Sequence, residues 1–439
     1  MMDSAVTQRG AISEGTRAGA PSSPFLVRGI TTMLVLTVLF QKVAIPFSGL
    51  SQIELVLPMN LAFLIYLTIK DYAKINVMRL TLLLTTIAIA LFIHVFYITG
   101  DFSVPSLLFY AVIYSLYIFS VPISRSDYEK ILRNFRSLAL LVCALVGLDW
   151  AVQLVRLPMP NLEPLIPQQW LFNFYNYIQP LEWKAQYMKP NGIFFLETSC
   201  LSQFIATALI LEICIFQNVR NLCIFGVSLL STFGGTGLIL VLLSAPLIFL
   251  YLRPLFFVCL LVAVPMGVVT ASSIGLLDNI QHRSGEFSQE GTSGYQRFVA
   301  PFVIIGDAIA SPGGEALFGR GAGNMLRAAN IAWNPVSKAF GEYGLIFTVV
   351  WFLLLVIGMF GRGVPFIVSW MLFMQYHLLN GSFLVPLFTI YCVLLTGLYI
   401  IEDEPERQVA RPRRTGFEAF RGGRFSPLPA RLGHQEARA

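Results

Sequence analysis

Charge is what this sequence has least of. Asp, Glu, Lys and Arg make up 12% of its 439 residues, about half the share of an ordinary soluble domain. Hydrophobic residues make up 56% and mean hydropathy is +0.70. This excludes a soluble globular chain. Strands that alternate apolar and polar residues are missing too, which excludes an outer-membrane β-barrel. Histidine is rare: His94 and His377 fall in apolar runs, His434 in the tail, and only His282 in a long polar loop. No HExxH or other metal-ligand spacing occurs, and the six cysteines form no CxxC pair. Cys143, Cys200, Cys214, Cys223, Cys259 and Cys392 all lie in apolar runs, so each reads as a small packing residue. Neither a metal nor a cofactor is expected. No internal repeat is evident, so an inverted-repeat transporter gains no support. The formal charge of +6 does not indicate nucleic acid, because the basic residues cluster where membrane orientation places them.

What is present is a series of continuous apolar runs of roughly 20 residues, the length of a helix that crosses a bilayer. The pattern predicts an all-α, polytopic integral membrane protein with about 12 transmembrane helices. The expected spans are 25–45, 53–69, 80–98, 107–123, 137–155, 193–216, 221–233, 237–252, 254–272, 339–359, 364–379 and 383–401. Residues 221–252 are split at Ser231-Thr232-Phe233-Gly234-Gly235-Thr236-Gly237, where glycine permits a turn. Residues 1–24 read as a disordered cytoplasmic N-terminus without a cleavable signal peptide. Residues 402–439 read as an Arg-rich cytoplasmic tail. Lys70, Lys74, Arg79, Arg125, Lys130, Arg133, Arg136, Arg220, Arg253 and Arg362 all fall on the side of the termini. Lys and Arg favour the cytoplasmic side, so the loops 156–192 and 275–338 are expected to face outside together.

These two loops carry the candidate site. The first holds Trp170, Phe172, Phe174, Tyr175 and Tyr177; such aromatics anchor a segment at headgroup level or stack on sugar rings. The second holds Arg283, Arg297, Arg320 and Arg327 and the run Phe318-Gly319-Arg320-Gly321-Ala322-Gly323-Asn324. Tyr295, Phe298, Phe302, Ile305 and Ile309 recur at helical spacing there, predicting an amphipathic helix that lies on the membrane or caps the spans. Pro312-Gly313-Gly314 ends it. Arg offers a planar fork of donors for phosphate oxygens. Glycines let backbone N–H groups approach an anion, so Gly319, Gly321 and Gly323 join the arginines as candidate anion contacts. The run is not a Rossmann fingerprint, since no βαβ context surrounds it. Glu197 stands at the outer end of the sixth span, and a carboxylate in an apolar segment points to function. Asp149, Glu212 and Glu54, in or beside spans, read first as structural.

Three pieces of the chain resemble one family. Gly192-Ile193-Phe194-Phe195-Leu196-Glu197-Thr198-Ser199 resembles a Gly-x-Phe-x-Glu-Pro-Ser span entry, with Thr198 in place of Pro. Ser231–Gly237 resembles its short-helix turn. Arg297 through Gly323, then Asn334 and Gly341-Glu342-Tyr343-Gly344-Leu345, resembles its outer loop and following span. The chain thus resembles the Wzy-type O-antigen polymerase and ligase superfamily over about 190–350, with exopolysaccharide polymerases such as that of xanthan the nearest fit. Trp333 stands where ligase members carry a His before the Asn, which favours a polymerase.

The resemblance implies a membrane glycosyltransferase in the bacterial inner membrane. It would join undecaprenyl-diphosphate-linked oligosaccharides at the periplasmic face, with a chain-length regulator and a flippase as protein partners. It implies catalytic roles for Glu197, Arg297 and Arg320. Substrate contacts are expected from Arg283, Arg327, Gly319, Gly321, Gly323, Asn334, Trp170 and Tyr175. An O-antigen ligase and a polysaccharide or lipid-carrier flippase are the competing readings; a flippase would carry paired charges or broken helices near mid-membrane.

Overall fold

The computed structural model describes residues 23–48, 51–97, 102–173, 175, 177–181, 186–251, 285, 288–311, 314–323, 333–361, 363–379 and 383–402. Helices occupy eleven of the twelve expected spans; 254–272 lies outside the described residues, as do 1–22 and the tail from 403. The helices are α1 (Pro24–Phe40), α2 (Val56–Ile69), α3 (Val77–Phe96), α4 (Val104–Ser115), α5 (Arg125–Leu154), α6 (Thr198–Leu211), α7 (Val219–Ser231) and α8 (Gly235–Tyr251). Three short ones follow in the central loop: α9 (Ser293–Phe298), α10 (Ala300–Ala310) and α11 (Glu315–Phe318). The last are α12 (Pro335–Met359), α13 (Phe366–Met374) and α14 (Pro386–Cys392). Four described helices are long and apolar enough to cross a membrane: Val77–Phe96, Arg125–Leu154, Thr198–Phe216 and Pro335–Met359. Eight more apolar helices are shorter, Ala300–Ala310 of the central loop among them.

Helix starts follow their caps. Ser23 accepts from the Leu26 amide with Pro24 next to it, Asn76 from Arg79, Ser103 from Ser106, and Ser124 from Asp127. Such side-chain oxygens satisfy amides that have no intrahelical partner. The Ser124 cap corrects one expected boundary. The fifth helix starts at Arg125, not near 137, because Lys130 and Arg133 pair with Asp127 (2.7 Å) and Glu129 (3.2 Å) one turn away. The basic cluster is thus helical. Its last member, Arg136, reaches Glu212 at 3.9 Å and lies over the Phe216 ring.

The fold also contains strands that the apolar runs hide. β1 (Ala44–Ser48) and β2 (Ser51–Glu54) form an antiparallel hairpin between α1 and α2. β3 (Lys74–Ile75), β4 (Phe119–Ser124) and β5 (Tyr399–Glu402) form a small sheet, β4 lying antiparallel to β3 and parallel to β5. The fourth span, expected to run helical to 123, instead leaves the helix near Ile118, and Pro122 sits in the strand. Beside the sheet, the buried Arg79 guanidinium donates to the carbonyls of Tyr117, Phe119 and Gly397 at 3.3, 3.4 and 2.5 Å. All three bonds come from one guanidinium nitrogen, and they offset part of the cost of burying the charge.

The core is aromatic. Tyr110, Tyr114, Tyr343, Phe347, Trp351, Tyr376 and Phe383 pack on one another where α4, α12 and the helix begun by α13 meet. The Tyr114 and Tyr376 hydroxyls are 2.5 Å apart. Of the described cysteines, Cys143, Cys200, Cys214 and Cys392 are buried as expected, whereas Cys223 is exposed on α7.

Candidate functional site

The site is built where the first long loop enters α6. Asn191 makes a local turn: its Oδ1 accepts from the Ile193 amide at 2.9 Å, and its Nδ2 donates to the Tyr177 carbonyl at 2.7 Å. Gly192 and Ile193 both take positive φ, +61° and +66°. Isoleucine is strained there because its branched Cβ crowds the backbone. Three distant groups hold the turn. Asp149 Oδ2 accepts from the Gly192 amide (2.9 Å), Lys42 Nζ donates to the Ile193 carbonyl (2.7 Å), and Gln41 Oε1 accepts from the Leu196 amide (3.3 Å). The turn delivers Glu197 to the N-terminus of α6 in an extended conformation.

The start of α6 packs against the glycine segment between α7 and α8. An added Cβ on Gly234 would stand 2.5 Å from Ser202 of α6. The Gly237 amide donates to Ser202 Oγ at 3.1 Å, and Thr236 Oγ1 donates to the Ser199 carbonyl at 3.1 Å. The run Ser231–Gly237 therefore does two things: it separates α7 from α8, and it seats that turn on the first turn of α6.

Glu197 meets Arg297. The Arg297 guanidinium, at the end of α9, lies 3.9 Å from Glu197 Oε2, and Ser199 Oγ donates to the same oxygen at 3.0 Å. The Glu197 side chain is 11% exposed and that of Arg297 41%. The pair therefore opens a mostly covered carboxylate to the outside through a half-exposed cation. Two residues one hundred positions apart in the chain thus form one constellation. Tyr175 is drawn into its field: burial raises its phenol well above the ordinary range, and Cys200, Glu54 and Glu197 add to the rise. Glu54, at the end of β2, is buried. Trp170 stands 43% exposed in the same loop.

Arg320 belongs to a separate part of the surface. Its guanidinium pairs with Glu315 at 3.0 Å, in a niche formed with Ile304, Ile305, Ala308, Ser337 and Gly341. Arg297 lies seven residues before Ile304, across the break at Val299. The glycines around Arg320 serve close packing. Gly319 has φ +70°, and a Cβ there would stand 2.6 Å from the Glu342 backbone. The Arg320 and Gly321 amides donate to the carbonyls of Gly341 (2.9 Å) and Glu342 (2.7 Å). Gly344, at φ +74°, kinks α12 against Leu317 and Phe318. The Gly319 and Gly321 amides, expected to face an anion, donate instead to the Glu315 and Glu342 carbonyls. Gly323 has φ +78° and lies against Ser103.

Asn334, expected to touch substrate, is buried and caps α12: its Oδ1 accepts from the Ser337 amide at 2.8 Å. Arg283 and Arg327 lie outside the described residues. The expected amphipathic helix is broken at Val299 into α9 and α10, with Ala300, Pro301 and Ala308 buried and Phe302, Val303 and Ile309 exposed. Phe302 and Ile309, counted on the apolar face, thus form an outward apolar surface. Among the described residues no three His, Cys, Asp or Glu side chains gather as metal ligands. The sequence reading passed over Gln41 and Lys42, which stand inside the first apolar run; the signal available was a lone lysine in a hydrophobic segment.

No curated protein matches the chain. The family model described as WcaD colanic acid polymerase matches residues 30–400. That is most of the sequence and includes every element of the site, so the chain belongs to this family of membrane polysaccharide polymerases.

Proposed function

We propose that the protein polymerises oligosaccharide repeat units carried on undecaprenyl diphosphate, at the periplasmic face of the inner membrane, with Glu197 and Arg297 at the reaction centre. The observation that carries this reading is their 3.9 Å approach. A hydroxyl of the acceptor unit attacks the anomeric carbon of the donor unit. The new C–O bond forms as the bond from that carbon to the diphosphate oxygen breaks, and undecaprenyl diphosphate leaves. Glu197 takes the hydroxyl proton. Arg297, half exposed beside it, meets the charge that develops on the leaving diphosphate; a donor already in place there costs no reorganisation. Arg320 lies farther along the same loop and binds the extended donor. Trp170 supplies an aromatic face for sugar.

The separation of α7 from α8 supports the sidedness, because reading 221–252 as two spans is what keeps both long loops on one side. The Glu197–Arg297 contact, which joins the two loops, fits the same arrangement. The test is the lipid fraction of a deletion strain. Single repeat units should accumulate on the lipid carrier, with no long polymer. Full-length polymer in that strain would refute the polymerase assignment.

A further inference from the structure

The turn that presents Glu197 is strained and is held by groups from two other parts of the chain. Ile193 sits at φ +66°, a conformation that persists only when its surroundings over-determine it. The Lys42 side chain is buried just past α1, and its ammonium does not reach a carboxylate hydrogen bond; it donates to the Ile193 carbonyl at 2.7 Å. The Tyr177 ring lies 5.0 Å from the ammonium on another side, a cation–π contact that strengthens when desolvated. Asp149, fully buried on α5, takes the adjacent Gly192 amide, and Gln41 takes the Leu196 amide. A lysine buried here for packing alone would be expensive, and an apolar residue would fill the space without that expense.

We propose that Lys42 is a positioning residue for the transfer reaction: with Asp149 and Gln41 it clamps the Gly192–Glu197 turn and so fixes the Glu197 carboxylate at Arg297. This rests on the reading of Glu197 given above. The charged groups acting on the amine are Asp149 and Glu163. The Ile193 carbonyl and the Tyr177 ring both hold the charged amine more strongly than the neutral one, so the clamp weakens as Lys42 loses its proton at alkaline pH.

The experiment is polymer formation by purified protein in liposomes, with kcat and KM for the lipid-linked donor measured from pH 6 to 10. Lys42→Met should lower kcat about tenfold, the scale on which geometry rather than chemistry is disturbed, with KM little changed. Lys42→Arg, which keeps its charge, should recover part of kcat and move the alkaline fall to higher pH. Glu163→Gln, which removes a negative charge facing the amine and touches no backbone of the turn, should move the fall to lower pH. That variant also carries the test should Lys42→Met not accumulate in the membrane. Unchanged kcat in Lys42→Met while Glu197→Gln is inactive, or an alkaline fall that stays put in both Lys42→Arg and Glu163→Gln, overturns the positioning role alone. Full activity in Glu197→Gln overturns the reading of the site and this inference with it.

Discussion

Two arginines of one loop have different surroundings. Arg297 faces a carboxylate whose side chain is 11% exposed, whereas Arg320 faces Glu315 with both side chains more than a third exposed. An exposed pair of the second kind contributes little to stability, so Arg320→Ala should leave the folded protein intact. If Arg320 binds the donor away from the reacting bond, its loss weakens ground state and transition state alike. Arg320→Ala should then raise KM for the lipid-linked donor about tenfold and leave kcat near normal, with Lys restoring part of the affinity because it keeps charge but loses the planar fork. A fall in kcat at constant KM would move Arg320 into the reaction centre. Both arginines and Glu197 stand out in the sequence; their pairing does not, because nothing in a spacing of one hundred residues shows that a helix cap and a loop helix end at the same point.

At the scale of elements, the central loop is fixed to the membrane helices by glycine against glycine. Gly319 rests on the Glu342 backbone, and Gly344, at positive φ inside α12, rests on Leu317. A Cβ at Gly344 meets backbone that cannot rotate away, and the conformation itself disfavours an L side chain. Gly344→Ala should therefore cost about 2–5 kcal/mol, read as a lower midpoint of thermal unfolding in detergent and as protease sensitivity in 288–323. An unchanged midpoint would show that the loop is docked by other contacts. In the sequence these glycines were legible as special backbone, and Gly341–Leu345 as part of a family pattern. Their mutual contact was not, and so Gly319, with Gly321 and Gly323, reads from the sequence as an anion contact. The helices were legible because twenty apolar residues in a row permit little else in a bilayer. The strands at 44–48, 51–54, 119–124 and 399–402 were not, because Ala-Ile-Pro-Phe and Phe-Ser-Val-Pro-Ile continue the apolar runs on either side. Only their pairing partners, one of them near the opposite end of the chain, make them strands.

Over the whole molecule, an aromatic core and an arginine-stapled sheet tie the first third of the chain to its last helices, and a polar seam runs beside them. That seam begins at Gln41 and Lys42, passes Asp149 and the Gly192–Ile193 turn, and ends at Glu197 and Arg297. The seam thus ends at the N-terminus of a buried helix, α6, which is braced by the α7–α8 glycine segment. The central claim is that Glu197 and Arg297 act together on a lipid-diphosphate donor. It is tested most directly by single-turnover linkage of two purified lipid-linked repeat units in liposomes, comparing wild type with Arg297→Ala, Glu197→Gln and the double variant. Losing one donor of the kind that stabilises a developing anion costs on the order of 3 kcal/mol, about a hundredfold in rate. Each single variant should fall by about that factor, with donor binding retained. The double variant should fall little further, because residues that act as a unit are not additive. Near-normal turnover in both single variants, with the proteins folded and in the membrane, would contradict the account.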